Sequence, residues 1–389
     1  MRIVVFGGSF NPPHLGHAEA ARTVAAALAP DRFLILPANE PPHKELEEGS
    51  PNGQQRLELC RLAFREVPGA EVSDWELRRE GKSYTADTVE VLREKYPEDE
   101  LILVLGADMF LCVAKWYRFE YLLEQCTLAV LDREGEEEEA LRLHGEELER
   151  RWGARWLLLP HEPLPMSSGE IRHRLKFRLG SDELDDEVYS CIVKNGYYDA
   201  QPELSWLREK AYAWLEPRRI AHVAGCESEA VMLAKHWGED PELAAEAGIL
   251  HDITKKLSWD EQLNLCEKYG IINDQAERNT PSILHAKTGA AVARDLFGVD
   301  DRVYEAIRWH CTGKPDMSLL EKIVWLADYI EPTRDFPGVD KVRTLAYEDI
   351  DRALAEALGM TLAHIRNKGR EPYKDTAEAY QWYSREKEI

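Results

Sequence analysis

Residues 1–17 read MRIVVFGGSFNPPHLGH, and the fold of the first half turns on how that stretch is punctuated. The run 2–6 (RIVVF) is β-branched and aromatic, the composition of a strand buried on both faces. Gly7 and Gly8 end it, and paired glycines let backbone N–H groups come close to a phosphate. Beyond the turn, 15–29 (LGHAEAARTVAAALA) is Ala-rich with apolar residues at helical spacing, and it stops at Pro30. The pattern is strand, glycine turn, helix, with the partial positive charge of the helix start near His14. His14 and His17 are three apart and project from the same side of that first turn. Two imidazoles there can donate to phosphoryl oxygens as negative charge builds up in a transition state.

Apolar runs then alternate with helical stretches up to residue 198. Strands are expected at 32–36 (RFLIL), 101–105 (LILVL), 127–131 (TLAVL) and 155–159 (RWLLL), and helices at 54–66, 85–95 and 117–124. Continuous apolar strands between helices imply an α/β domain, a parallel sheet covered on both faces. The Glu-rich stretch 134–149 reads as a solvated helix, frayed where Glu136–Glu139 repel one another. After Pro202 the character changes to amphipathic helices alone, at 204–215, 217–237, 241–251, 259–269, 283–297, 300–310, 318–330 and 347–367. An α/β domain over 1–200 followed by an all-α domain over 204–389 is expected, which suits a chain of 389 residues.

Composition excludes other classes. With 44% apolar and 31% charged residues, two buried cores are possible and general disorder is not. No apolar run approaches the ~20 residues of a membrane span, and Gly7-Gly8 cut short anything like a signal peptide, so a soluble, cytoplasmic protein is expected. Seven scattered cysteines without a CxxC pair argue against a disulfide framework and against a thiolate zinc site. A net charge of −23 argues against a nucleic-acid polymer as partner, so polyanions must be met by local sites or metals.

Further motifs surround the first turn: PANEPPHK at 37–44, SYTADT at 83–88, Gly106-Ala107-Asp108 with Trp116, and Ser167-Ser168-Gly169-Glu170-Ile171-Arg172. Lys44, in a proline-stiffened loop, can reach a phosphate as a point charge. Asp108 lies where a strand ends, the edge at which open α/β sheets bind ligands, and Trp116 offers a face to an aromatic base. Ser167 and Ser168 begin a helix whose hydroxyls and N–H groups suit phosphates, with Arg172 adding charge. Together with HxGH, these motifs resemble bacterial nicotinate-nucleotide adenylyltransferases over about residues 1–198. The resemblance implies a Rossmann-like nucleotidyltransferase fold and in-line attack of nicotinate mononucleotide on ATP, with Mg²⁺ accompanying the triphosphate. It implies catalytic roles for His14, His17, Lys44 and Arg172. Substrate contacts would come from Gly7, Gly8, Ser9, Phe10, Thr85, Gly106, Asp108, Trp116, Ser167 and Ser168, with Thr85 and Trp116 at the nicotinate end. Gly169 stands where the family usually has a hydroxyl residue.

The helical half carries His222, His251-Asp252, His285, His310 and Asp328, each in or beside an amphipathic helix. Two adjacent polar side chains after Gly-Ile-Leu are awkward in a plain core, and imidazole with carboxylate suits first-row transition metals. Asp252 can bridge two ions, His222, His251 and Asp328 completing one site and His285 and His310 the other. Taken singly, a histidine is more often packed or solvent-facing, and His144, His161, His173, His236 and His364 are read that way. The ordered series resembles the HD phosphohydrolase superfamily, and more narrowly the bacterial HD-domain hydrolases of diadenosine tetraphosphate. That resemblance implies an HD helical bundle, symmetric cleavage to two ADP and a dinuclear centre of iron, though His and Asp spacing alone does not separate iron from manganese. Lys255, three residues after Asp252, lies on the same face if the helix persists and is expected to neutralise phosphate. Cys311 replaces the usual threonine. Two other readings remain open: an adenylyltransferase for a different mononucleotide fused to a general phosphohydrolase, or fused to a nucleotide-sensing HD regulator without turnover.

Overall fold

The structure is a computed structural model, and it describes residues 1–42, 45–79, 81–132, 138–162, 164–271 and 281–385, the side chains of 281 and 282 excepted. The chain divides into two units, Met1–Gln201 and Pro202–Ile389.

The first unit is built on six parallel strands: β1 (Arg2–Gly8), β2 (Arg32–Pro37), β3 (Ala70–Val72), β4 (Glu100–Gly106), β5 (Thr127–Leu131) and β6 (Arg155–Leu159), in the order β3-β2-β1-β4-β5-β6. Five of them arise from the apolar runs. The three-residue β3 has no such run and owes its state to pairing with β2, Phe33 opposite Ala70 and Ile35 opposite Val72. Alternate residues of the strands face one core, in which Ile3, Val5, Leu34, Leu36, Leu103 and Leu128 meet Val89, Leu92 and Phe110. Burying each such side chain stabilises the fold by about 1.5–3 kcal/mol.

Strand order reverses between β1 and β4, which are paired with Phe6 opposite Val104. Ligands of doubly wound sheets bind in the crevice beyond the carboxyl ends at such a reversal. Here those ends are Gly7-Gly8 and Gly106. The Glu-rich segment gives a helix at Glu138–Trp152, and Glu136 and Glu137 lie outside the described residues.

The second unit is built of helices joined by turns, with no strand among its described residues. Its helix starts are written in the sequence. Ser258 and Ser318 each cap a helix with a glutamate three residues on, and Asp240 accepts from the N–H groups of Glu242 and Leu243. Pro217 and Pro241 occupy first helical positions, where the missing N–H costs nothing. The helix Pro241–Leu250 is buried from Ala244 to Leu250, central to the bundle. The segment expected as a helix at 347–367 is the helix Ile350–Asn367, opened by the Asp349 side chain, which accepts from Arg352 N–H, and a helix that was not expected, Val339–Glu348, precedes it. No helix among the described residues is long and apolar enough to cross a membrane.

Candidate active sites

In the first unit, His14 is the N-cap of the helix Leu15–Leu28, and its ring lies 3.8 Å from that of His17, centroid to centroid. The backbone N–H of His14 donates to Nδ1 of His17 (3.3 Å). A nitrogen that accepts carries no proton, so this contact leaves the His17 ring's proton on Nε2, as a donor needs. Gly16 between them lets the His14 ring lie close, since a Cβ there would stand 3.1 Å from its Nδ1 and push the ring by a few tenths of an ångström. Burial presses the His14 pKa from 6.5 to about 4, so this imidazole is neutral at physiological pH.

The turn before them is held from three directions. Phe10 takes a left-handed φ of 43° and is buried. Asn11 is buried, donating to Ser50 Oγ (2.9 Å) and accepting from the Tyr198 hydroxyl (2.8 Å). From the helix Ser168–Leu175, Ser168 Oγ donates to the Pro12 carbonyl (2.9 Å) and Arg172 to the Asn11 carbonyl (2.7 Å). Arg172 also pairs with Glu47, and Ser167 Oγ caps Glu170 N–H (3.2 Å). Both serine hydroxyls and the guanidinium thus have protein partners. What this helix end offers an anion is its first-turn N–H groups, which have no intrahelical acceptor. Gly7, Gly8, Ser9, Gly106 and Asp108 stand at the strand-order reversal, with Asp108 exposed in the first turn of the helix Ala107–Leu111. The segments of Thr85 and Trp116 come together where Tyr84 and Tyr117 rings meet at 4.7 Å. Lys44 lies outside the described residues.

Sequence reasoning overlooked Arg56. Its guanidinium is wholly buried and donates only to carbonyls, of Ser9 (2.7 Å), Asn39 (2.9 Å) and Pro51 (3.3 Å). It ties the glycine turn to the loop after β2. Its position on the helix Gly53–Ala63, one face with Cys60 and Ala63, was the available signal.

In the second unit, Asp252 is the centre. Its Oδ1 lies 3.0 Å from Nε2 of His285 and 3.7 Å from Nε2 of His310. Its Oδ2 lies 3.4 Å from Nε2 of His251 and 3.8 Å from Nε2 of His222. Asp328 Oδ1 joins the latter pair, 3.1 Å from His222 and 4.0 Å from His251. One carboxylate therefore stands between two groups of donors. The tautomers are fixed from behind: Nδ1–H of His251 donates to Gly248 O (2.8 Å), that of His310 to Ile307 O (2.7 Å), and that of His222 to Glu331 (2.9 Å). With the remaining proton on Nδ1, each ring, once singly protonated, turns an Nε2 lone pair inward. Glu331, fully buried, was not singled out from sequence, and Gly225 makes room for it, since a Cβ there would stand 2.6 Å from Oε2.

These donors fit divalent metal. Nε2 of His222 and His251 and Oδ1 of Asp252 are buried and make no hydrogen bond despite their closeness, the arrangement of ligands aimed at a shared cation. Among the described residues, three donor sets have all ligand atoms within 4.8 Å of one another: His222, His251 and Asp328; His251, Asp252 and His310; and His285, His310 and Cys311. Positive side chains crowd the same oxygens. Arg219 pairs with Asp252, Arg334 with Asp328 (2.6 Å), and Lys255 Nζ reaches His285 Nε2 at 3.0 Å. Burial opposes charge on Asp252, yet His251, His285 and His310 hold its carboxyl well below the usual range. The helix that His251 caps ends at Leu250, so Lys255 reaches the site from a turn, its N–H bonded to the Asp252 carbonyl (2.9 Å), rather than from a continued helix. A cleft of about 550 Å³ opens over the cluster, lined by Arg218, Arg219, Lys255, Lys256 and Arg334 beside His222. It is basic on an acidic chain.

The cytidylyltransferase-like family profile matches residues 5–174, and the HD domain profile matches 219–333. Over 198 residues the chain is 38% identical to a "Probable nicotinate-nucleotide adenylyltransferase" of Carboxydothermus hydrogenoformans, covering 51% of this chain and 98% of that one. Over 180 residues it is 36% identical to the "Bis(5'-nucleosyl)-tetraphosphatase, symmetrical" of Bacillus subtilis, covering 45% of this chain and 96% of the relative. A Mycoplasma pneumoniae protein named "Probable nicotinate-nucleotide adenylyltransferase/Ap4A hydrolase" aligns over 369 residues at 26% identity, covering 94% of this chain and 99% of its own.

Proposed function

The first half of the chain belongs to the nicotinate-nucleotide adenylyltransferase family and the second to the HD-domain symmetrical bis(5'-nucleosyl)-tetraphosphatase family, and we propose that one protein carries both activities at separate sites. Residues 1–201 transfer AMP from ATP to nicotinate mononucleotide, and 202–389 hydrolyse diadenosine tetraphosphate.

In the transfer, a 5′-phosphate oxygen of the mononucleotide bonds to the α-phosphorus of ATP, the α–β bridging bond breaks, and pyrophosphate leaves. No covalent enzyme intermediate is needed, so positioning and charge stabilisation carry the step. Magnesium arrives with ATP as part of the substrate. His17 donates from Nε2, held so by the His14 N–H. His14, neutral because it is buried, donates without first losing a hydration shell. Backbone N–H groups of the Gly7–Phe10 turn and of the helix start at Ser168 receive phosphates, with Lys44 as a further positive charge. Asp108 accepts from ribose, and Thr85 and Trp116 hold the nicotinate ring. Arg172, through Asn11, sets the turn. The observation that carries this half is the paired imidazoles at the reversal of strand order.

In the hydrolysis, water adds to one middle phosphorus of the tetraphosphate, the oxygen bridging the two middle phosphates leaves with the other half, and two ADP result. His222, His251, Asp328 and Asp252 would hold one metal, and His285, His310 and Asp252 the other, with iron as the expected ion. Bound metals supply Lewis acidity toward the phosphate and a more acidic water. Asp252 spans both positions, Glu331 orients His222, and the arginines and lysines of the cleft receive the remaining phosphates. Lys255 neutralises the leaving ADP. The carrying observation is the Asp252 carboxylate, one oxygen toward each imidazole pair.

A single panel tests both halves. Purified protein with MgATP and a series of mononucleotides should release pyrophosphate fastest with nicotinate mononucleotide. With diadenosine tetraphosphate it should give ADP alone, and ATP with AMP as products would refute symmetric cleavage.

A further inference from the structure

The cluster around Asp252 is not made of nitrogen and oxygen alone. Cys311 Sγ lies 3.3 Å from Nε2 of His285 and 3.2 Å from Nε2 of His310. Those two nitrogens are 3.2 Å apart, and Asp252 Oδ1 is 3.0 and 3.7 Å from them. The ligand atoms of His285, His310 and Cys311 thus all lie within 4.8 Å of one another, and Asp252 Oδ1 stands against the same two imidazoles. Metal–nitrogen bonds of about 2.0–2.1 Å and a metal–sulfur bond of about 2.3 Å place the corners of a tetrahedron roughly 3.3–3.6 Å apart, which is the scale of these distances. The second observation is independent of the cysteine: Asp252 is 1% exposed, and its buried Oδ1, lying against the nitrogens of His285 and His310, makes no hydrogen bond.

We infer that Cys311 is a thiolate ligand of the metal held by His285, His310 and Asp252, making the dinuclear centre chemically asymmetric. One position is His₂Asp-Cys, with a soft donor. The other, His222, His251, Asp328 and the second oxygen of Asp252, has only nitrogen and oxygen. Counting cysteines excludes an all-thiolate zinc site, but it says nothing against a single sulfur completing an imidazole set. Soft thiolate favours zinc, cadmium or ferrous iron at the first position, whereas manganese gains little from it. The inference rests on the reading of Asp252 and its histidines as a metal centre, and the experiment separates the two.

The full chain is stripped with chelator and titrated with Co²⁺ alone, as wild type, Cys311→Ser, Cys311→Thr and Cys226→Ser. Cys226 is the control, because its buried sulfur stands beside His251 at the other position. Wild type and Cys226→Ser should show visible ligand-field bands together with a near-ultraviolet sulfur-to-cobalt charge-transfer band. Both Cys311 variants should keep ligand-field bands and lose the charge-transfer band. Ligand-field bands without sulfur charge transfer in wild type, or a charge-transfer band that survives Cys311→Ser, overturn the cysteine's role and leave the histidine–aspartate centre standing. Failure of wild type to bind cobalt overturns both. Should the Cys311 variants not fold, X-ray absorption of zinc-loaded wild type decides. One sulfur at about 2.3 Å in addition to nitrogen and oxygen is expected, and a shell without sulfur refutes the inference.

Discussion

Replacing Arg56 with Met removes a buried cation while keeping a side chain of similar length. Three carbonyls, of Ser9, Asn39 and Pro51, lose their donor. Hydrogen bonds to a charged donor contribute about 1.5–3 kcal/mol each, and removing a guanidinium that is buried without a carboxylate partner returns several kcal/mol of desolvation. The balance is a loss of about 2–4 kcal/mol, which for a unit of this size lowers its melting transition by about 5–15 °C. The functional effect should exceed that of general destabilisation. The Ser9 carbonyl belongs to the same peptide as the Phe10 N–H, so the turn that receives phosphate loses both its anchor and its polarisation. We expect kcat/KM for adenylyl transfer to fall at least about 100-fold below the melting temperature, chiefly through kcat, since a misplaced turn costs transition-state contacts. Arg56→Lys, with one donor point in place of a fork, should fall between. The assay is pyrophosphate release well below the transition, with tetraphosphate hydrolysis as the internal control. Unchanged transfer in a folded Arg56→Met protein would refute the reasoning, and an equal loss of hydrolysis would show that the effect is not local.

His17→Ala should lower the turnover of transfer by roughly 10²–10³, the worth of one transition-state donor, and leave hydrolysis near its starting value; pyrophosphate and ADP assays on one preparation check both. His14, with its pKa pressed from 6.5 to about 4 by burial, binds fewer protons folded than unfolded between those values. The first unit should therefore lose up to about 3 kcal/mol as pH falls from 6.5 to 4 and no more below, and imidazole NMR should find His14 unprotonated at pH 5. Asp252→Asn should lose most bound metal and nearly all hydrolysis, whereas Lys255→Ala should keep its metal and slow only turnover; metal stoichiometry beside rate distinguishes them. Fragments 1–201 and 202–389 should each unfold cooperatively and keep one activity, and loss of both activities in both fragments would refute independence.

What the sequence made legible was whatever an unbroken pattern or a costly residue announces. Four-residue and longer apolar runs gave β1, β2, β4, β5 and β6, but Ala70–Val72 is a strand only because β2 offers it a partner 35 or more residues away, and a three-residue window carries no period. Asp349 opens Ile350–Asn367 inside the stretch read as helical, and the ten-residue helix before it, Val339–Glu348, is too short for its spacing to stand out. The His-Asp pair was visible because two polar groups after Gly-Ile-Leu demand a reason. Hydroxyls are harder. Ser167 and Ser168 stand at a helix start as the motif suggests, yet one caps Glu170 and the other holds Pro12, choices made by the local path of the chain rather than by residue type. Arg56 and Glu331 were missed because their work lies behind the residues that face substrate.

The two sites meet the same difficulty, a polyphosphate on a chain of net charge −23, with different chemistry. On the function proposed above, the first uses fixed, largely neutral donors: imidazoles, backbone N–H groups and a buried guanidinium that polarises a peptide. Such donors cost nothing to keep in place between turnovers, and they suit a reaction in which the entering nucleophile is already an anion and needs no base. Water is a poor nucleophile, and hydrolysis therefore calls for something that acidifies it. Carboxylates and imidazoles aimed inward at 3–4 Å, too close to be stable without positive charge among them, create a demand that metal fulfils. In the described arrangement Arg219, Arg334 and Lys255 meet part of that demand from the cleft side. Those three cations are also the ones a tetraphosphate would draw outward. Metal on the carboxylates and substrate on the basic groups are then mutually supportive, because each relieves the partner that the other leaves behind.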